Sequence, residues 1–237
     1  MGLPTVESFP MSEKLREEFN RWAVEGRGAE LESHHRCFVE DTIRLMNVES
    51  RDRILEVGCG EGWTCRMLAE RTSEGLVVGL DVSDEMVRNA RAKSLSCENL
   101  LLLWASAEQI PWQDNFFSNG LAVECFYYFE SPENALREIY RVLSPGGSLW
   151  IVNHLSKENE LSLRWLDHLK VPVQLLSAEE YGGLFQQCGF ENYEYRMIPD
   201  RTPIPERSSD PWFPDPEERR RFRERGALVM SVHKPTL

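Results

Sequence analysis

The sequence predicts an α/β domain wound around a mostly parallel sheet, on three observations. Short apolar runs of strand length recur at 54–57, 76–80, 100–103, within 117–124 and at 148–153. Segments of helical periodicity lie between them, and such alternation implies parallel pairing with right-handed crossovers. The first run also leads directly into three alternate glycines, Gly58, Gly60 and Gly62, followed by a helix at 64–71. A strand, a tight turn and a helix in that order place unpaired backbone N–H groups and a positive dipole end at a sheet's C-terminal edge.

In chain order, residues 1–11 read as irregular, with Pro4 and Pro10 as breakers, and Ser12 is a good N-cap for a first helix. Leu15, Phe19, Trp22 and Ala23 then share one helical face. Gly26-Arg27-Gly28 interrupts it, and a second helix is expected over 29–46, with Leu31, His35, Phe38, Thr42 and Leu45 on one side. Residues 1–50 thus read as a helical arm or cap, and 51–237 as the main domain. A helix opens at Ser83 or Asp84 and carries Met86, Val87, Ala90 and Leu95. The continuous apolar run at 100–103 is that of a strand buried on both faces. Pro132 suits a helix start, and the helix at 133–143 places Ala135, Leu136, Ile139, Tyr140 and Leu143 together before Ser144-Pro145-Gly146-Gly147 ends it. After the fifth strand the chain departs from the α/β rhythm. Residues 155–176 form a long insertion, of the length that tends to make a lid or binding segment. Ser177-Ala178-Glu179-Glu180 is a capping-box start. A sixth strand at 190–197, a Pro-rich connection at 198–216, a charged helix at 217–225 and a last strand at 226–233 complete the chain. That charged helix mixes five arginines with Glu217, Glu218 and Glu224, the mark of a solvated face.

Composition narrows the function. A net charge of −12 argues against a nucleic-acid partner, which needs concentrated Lys and Arg. No run approaches the roughly 18 apolar residues of a membrane span. The start, Met1 to Val6, shows neither a secretory nor a myristoylation pattern. None of the six cysteines forms a C-x-x-C pair, so free buried thiols in a reducing cytoplasm are expected, without a metal site.

The second run ends at Asp81, an acid 19 to 23 positions past the glycines, where a carboxylate can accept both hydroxyls of a ribose. A dinucleotide site would show G-x-G-x-x-G. Here the spacing is G-x-G-x-G, and Glu56 precedes it, where a carboxylate would repel a pyrophosphate but suit a sulfonium or ammonium group. At these residues the chain resembles the class I S-adenosylmethionine-dependent methyltransferases, whose first motif reads E/D-x-G-x-G-x-G. Glu56, Gly58, Gly60 and Gly62 match it, and Asp81 matches the family's ribose-binding acid. The stretch 104–111 resembles the G-D-A-E-x-L-P loop that covers the adenine, through Ala107, Glu108 and Pro111, with Ser106 where Asp is usual. Asn119 likewise stands where an Asp is common. Arg141-Val142-Leu143-Ser144-Pro145-Gly146-Gly147 matches the R-V-L-x-P-G-G hallmark of the small-molecule branch, in particular the menaquinone-biosynthesis type.

The resemblance implies a Rossmann-like, seven-stranded sheet with helices on both faces and the last strand inserted antiparallel beside the sixth. It implies S-adenosyl-L-methionine as cofactor and S-adenosyl-L-homocysteine as product. The cofactor contacts it suggests are Glu56, Gly58, Cys59, Gly60, Asp81, Val82, Met86, Ser106, Ala107, Glu108 and Glu124. Residues after strand ends lie at the mouth of such a sheet. That nominates His154 and Tyr128 as catalytic groups, His154 being the one that titrates naturally near neutrality. Phe19, Trp22, Tyr127, Glu158, Asn159 and Trp165 are candidate acceptor contacts, although Phe19 and Trp22 equally suit plain core packing. Tyr127 and Tyr128 would point apart on a strand-like backbone. The expected partner is a small-molecule methyl acceptor, and the expected state a monomer or homodimer. A nucleotide-binding oxidoreductase, or a non-catalytic nucleoside-binding or partner subunit on the same fold, are the competing possibilities.

Overall fold

A computed structural model describes residues 13–202 and 212–236. The expectations for 1–12, including the Ser12 cap, and for the middle of the Pro-rich connection lie outside the described residues. The chain order is α1 (Glu13–Val24), α2 (Arg27–Met46), β1 (Arg53–Val57), α3 (Trp63–Arg71), β2 (Leu76–Asp81), α4 (Asp84–Lys93), β3 (Leu100–Trp104), β4 (Phe117–Val123), α5 (Pro132–Val142), β5 (Leu143–Asn153), α6 (Ala178–Gln187), β6 (Glu191–Ile198), α7 (Pro216–Arg225) and β7 (Ala227–His233). Two 3-10 segments, Phe126–Tyr128 and Glu160–His168, occupy the connections after β4 and β5.

The seven strands form one sheet in the order β3-β2-β1-β4-β5-β7-β6. β1 to β5 are parallel to one another, and β7 enters antiparallel between β5 and β6. The strand order reverses between β1 and β4, so the chain's own topology opens a crevice at their C-terminal ends.

Alternate residues of each strand feed two cores. Leu55, Val78, Leu149 and Ile151 pack on one face against Leu136 and Ile139 of α5 and Tyr181 and Phe185 of α6. Ile54, Val77, Leu121 and Val152 pack on the other against Phe38 and Ile43 of α2, Leu68 of α3 and Val87 of α4. This is the period-2 pleat sorting one sequence into two layers. Helix starts follow local chemistry: Ser83 Oγ accepts from Met86 N at 3.0 Å, and Ser177 with Glu180 forms the full capping box. The six cysteines are free. Among the described residues no helix is long and apolar enough to cross a membrane.

The structure corrects several expectations. β3 is an edge strand, and Leu101 is 45% exposed. Leu95 lies beyond α4 and is exposed, and Leu45 faces outward while Ile43 and Met46 carry the buried face of α2. β5 begins at Leu143 rather than Ser148. The Ser144–Gly147 stretch continues the strand through an irregularity in its pairing with β4. Gly146 (φ 77°) donates to Lys234 O at 2.9 Å, and Gly147 O accepts from Lys234 N at 2.8 Å. Tyr127 and Tyr128 sit on a 3-10 turn, not a strand, so neighbouring rings need not point apart.

Candidate active site

The crevice at the C-terminal ends of β1, β2 and β4 opens into a single cavity of about 860 Å³. That lies within the range of small-molecule sites, roughly 300–1,000 Å³. The glycine loop forms one end. Gly58, Gly60 and Gly62 all take positive φ (68°, 51° and 72°), which is why this turn is glycine-rich. A side chain at Gly58 would strike Cys125 Cβ at 2.5 Å, whereas nothing lies within 4 Å of the Cβ position of Gly60. The backbone at Gly60 can therefore meet a ligand closely. Gly62 begins α3 without a side-chain cap, and Trp63 and Thr64 of the helix's first turn line the cavity at its positive dipole end.

Asp81 bridges this loop to the next. Its Oδ2 accepts from Gly60 N and its Oδ1 from Ser83 N, each at 2.8 Å. A carboxylate has about four acceptor sites, so capacity remains for hydroxyls of a bound ribose. Glu56 sits beneath the loop, 1% exposed, and accepts from Cys65 Sγ at 2.9 Å. Burial pushes its carboxyl up to about 8 and that of Asp81 up to about 6. Glu56 is thus mostly neutral at pH 7 and would ionise when a cationic ligand arrives.

The remaining cofactor-side residues surround these two. Cys59, Val82, Met86, Ser106, Ala107 and Glu108 all line the cavity. Ser106 Oγ accepts from Glu108 N at 3.1 Å, and Glu108 Oε1 accepts from Ser131 N at 2.9 Å, which ties the loop after β3 to the start of α5. One oxygen of Glu108 is therefore engaged within the protein. α1 lies across this end. Asn20 Oδ1 accepts from Ser83 Oγ at 2.6 Å, Arg16 pairs with Asp84 at 2.8 Å, and Trp22 packs on Met86.

Glu124 lies at the junction of two strand ends. It ends β4 in a left-handed conformation (φ 53°), and its two oxygens accept from Tyr127 OH at 2.9 Å and from His154 N. Burial raises its carboxyl to about 7. It lines the cavity, and its hydrogen bonds join the ends of β4 and β5.

The other end of the cavity is aromatic. Phe19 meets Tyr128 edge-on at 5.1 Å. His154 stacks on Phe222 at 4.4 Å and meets Trp165 and Phe38 edge-on at 5.5 and 5.0 Å. Phe213 stacks on the far side of Phe222 at 4.4 Å. Burial holds the imidazoles of His35 and His154 down to about 3, so both are neutral. Burial also pushes the phenols of Tyr127 and Tyr128 above their usual range. Among the described residues no group of acids, histidines and cysteines could hold a metal ion.

Two nominated residues fall elsewhere. Asn159 is buried, and its Nδ2 donates to Phe222 O at 3.1 Å and Gly226 O at 3.0 Å, which ties the segment after β5 to the C-terminal end of α7. Glu158 Oε1 accepts from Ala178 N at 2.6 Å at the start of α6. Neither reaches the cavity, because the chain after β5 turns away from the mouth before it returns at Trp165. Sequence reasoning also missed Phe213, Phe222, Arg223, Asp200 and the role of His35, all of which line the cavity. α7 keeps a solvated side, where Arg220 pairs with Glu217 and Glu224. Phe222, alone among its arginines, was the available signal that the helix has an inner face.

The comparisons with known proteins agree with this geometry. A family model described as a methyltransferase domain matches residues 55–151. Demethylmenaquinone methyltransferase of Listeria welshimeri is 36% identical over 113 residues, 46% of this chain and 48% of that protein. The Staphylococcus epidermidis enzyme of the same name is 34% identical over 116 residues, 48% of this chain and 47% of that protein. The matched stretch thus spans about half the length of these curated relatives. Among solved structures, a chain from the complex between the Haloferax volcanii Trm112 methyltransferase activator and a methyltransferase superposes with a TM-score of 0.83. It is 30% identical and covers 92% of this chain and 98% of its own. A SAM-dependent methyltransferase from Aquifex aeolicus shares the fold, with a TM-score of 0.65 and 19% identity over 90% of this chain and 97% of its own. A seven-stranded sheet with this order, the glycine loop over Asp81, and a relative matched over nearly its whole length lead to one conclusion: the chain belongs to the class I S-adenosylmethionine-dependent methyltransferases.

Proposed function

We propose that the chain transfers the methyl group of S-adenosylmethionine to a small-molecule acceptor. The observation that carries this is the continuity of the cavity, which runs from the glycine loop and Asp81 to the aromatic wall around His154. In this reading the glycine loop, Glu56 and Asp81 hold the cofactor, with Val82, Met86 and the loop at Ser106 and Ala107 beside its base. Tyr128 and His154 contact the acceptor. The acceptor's lone pair forms the new bond to carbon as the sulfur–methyl bond breaks in line. Alignment of the two in a dry cavity supplies up to roughly 7–11 kcal/mol. A neutral imidazole held near 3 is a weak base, so His154 orients the acceptor by hydrogen bonding rather than taking its proton early. Six free thiols favour a reducing, cytoplasmic setting.

Calorimetric titration with S-adenosylmethionine, S-adenosylhomocysteine and NAD tests the assignment. Both sulfur nucleosides should bind, and NAD should not. Asp81→Ala should weaken them by at least a hundredfold, the loss of two hydrogen bonds to a charged group at about 1.5–3 kcal/mol each. Silence toward both nucleosides in a folded, ligand-free sample would favour a non-catalytic subunit instead.

One observation favours a second element of the function, a protein activator. The Haloferax volcanii relative was solved with Trm112. Here the free edge of the sheet at β3 exposes Leu101 and Trp104. An apolar sheet edge is a ready surface for strand addition. Co-expression with a Trm112-type protein should yield a stable complex, and Leu101→Lys should disrupt it. Independent elution of the two wild-type proteins would remove this element.

A further inference from the structure

The Gly26-Arg27-Gly28 stretch that breaks the first helical pattern places a cation in the cavity with no anion to hold it. Among the described residues the half-buried guanidinium of Arg27 makes no hydrogen bond and no ion pair. It lies over the Trp22 ring, 3.9 Å from the ring centre. A guanidinium stacked by its face keeps its five in-plane N–H groups for other partners. Arg223, at the aromatic end of the cavity, differs in that it is paired with Asp200 at 2.9 Å.

The two flanking glycines fix where this cation stands. Gly26 takes a left-handed turn (φ 74°) between α1 and α2, so Arg27 opens α2. Gly28 lets α2 close on the glycine loop, because a side chain there would run into the carboxylate of Glu61, the residue after Gly60. Glu61 is satisfied by other groups: Oε1 accepts from Asn89 Nδ2 at 3.0 Å, and Lys93 pairs with Oε2. Arg27 is thus held beside the loop without taking Glu61 as its partner, and its charge reaches the phenol of Tyr128. An amino-acid group carries one charge of each sign and needs one partner of each. In the same cavity Glu56 can supply the acid and Arg27 the cation. The Trp22 face holds the guanidinium flat, which reduces the freedom lost when two parallel N–H···O bonds form to a carboxylate.

We propose that Arg27 binds the carboxylate of the cofactor's methionine end, and that it makes the site select an amino-acid nucleoside over one that lacks the carboxylate. This deepens the methyltransferase reading and rests on it.

Two probes isolate that group: S-adenosylhomocysteine, and its decarboxylated analogue S-adenosyl-3-thiopropylamine, which keeps the adenosine, the sulfur and the amine. Each is titrated calorimetrically into the wild type and into Arg27→Gln. The wild type should bind S-adenosylhomocysteine at least tenfold tighter than the analogue, as a charge-assisted pair requires. Arg27→Gln should weaken S-adenosylhomocysteine at least tenfold and leave the analogue unchanged or slightly tighter, so that the preference collapses. The substitution removes no hydrogen bond or ion pair of the protein, and Arg27→Met gives a second reading should Arg27→Gln not fold. Equal binding of the two probes by the wild type would overturn the proposal. So would a preference that survives in a folded variant, whether because both probes lose affinity alike, as loss of packing on Trp22 would cause, or because neither does. Failure of the wild type to bind S-adenosylhomocysteine at all would instead overturn the methyltransferase reading, so the two failures are distinguishable.

Discussion

Glu56 makes a quantitative prediction about cofactor binding. Its carboxyl is buried beneath the glycine loop, raised to about 8 and held by Cys65. At pH 7 about nine molecules in ten therefore carry a proton there. A sulfonium and an ammonium group beside it favour the carboxylate, so binding should expel that proton. The ionisation costs about 1.4 kcal/mol for each pH unit below 8, which is tenfold in affinity. Affinity for S-adenosylmethionine should thus rise nearly tenfold from pH 6 to pH 7 and about fivefold more to pH 8, and flatten only above that. Asp81, at about 6, should steepen the profile only below pH 6. Calorimetry at pH 7 in two buffers of different ionisation enthalpy should record close to one proton released per molecule bound. Glu56→Gln should bind more weakly at pH 8 and lose most of the pH slope. A proton balance of zero in the wild type, or the same slope in the variant, would refute the reasoning.

The same groups set how stability of the ligand-free protein depends on pH. The folded pKa values of Glu56 and Glu124, about 8 and about 7, exceed their unfolded value, so the native state binds more protons and stability falls as pH rises towards them. His35 and His154 act oppositely, being depressed to about 3, and cost stability as pH falls below about 6.5. The sets oppose each other at acid pH, whereas from pH 6.5 to 8 the carboxyls outweigh the fading histidine contribution, and a net loss of about 2 kcal/mol is expected by chemical denaturation. A rise in stability over that interval would contradict the assignments. Gly28→Ala should destabilise by about 1–3 kcal/mol, because its Cβ would fall 2.2 Å from the Glu61 carboxylate that Asn89 and Lys93 hold. Thermal melting checks this, and an unchanged midpoint would mean that α2 shifts freely. Asn159→Ala should cost about 1–3 kcal/mol by leaving the Gly226 carbonyl without its donor, whereas Phe222 O keeps the N–H of Gly226. It should leave cofactor affinity intact, as a residue outside the cavity must; a selective loss of affinity would return it to the site.

Much of this protein was legible in its sequence because the governing interactions are local. A turn that needs positive φ at 58, 60 and 62 requires glycine there, whatever the rest of the chain does. Period-2 and period-3.6 patterns located the elements, and the strand–helix alternation made the sheet parallel. The spacing from the glycines to Asp81 spans one βαβ unit, so that pair of neighbours was fixed by the unit's geometry. The antiparallel insertion of β7 came from the resemblance rather than from any pattern in the residues.

What the tertiary structure decided involves partners far apart in the chain. The apolar run of β3 reads as a central strand, yet its place in the sheet depends on the crossover connections, and it lies at the edge. Glu124, Glu158 and Asn159 carry the right chemistry at plausible positions. Their hydrogen bonds go to Tyr127, His154, Ala178, Phe222 and Gly226, and those partners exist only once the chain has folded back. The acceptor wall is the clearest case. His35, His154, Trp165, Phe213 and Phe222 meet in one cavity from four separate segments. The pattern within a segment marks which residues are buried, but only the packing of the segments against one another decides which of them face a common space.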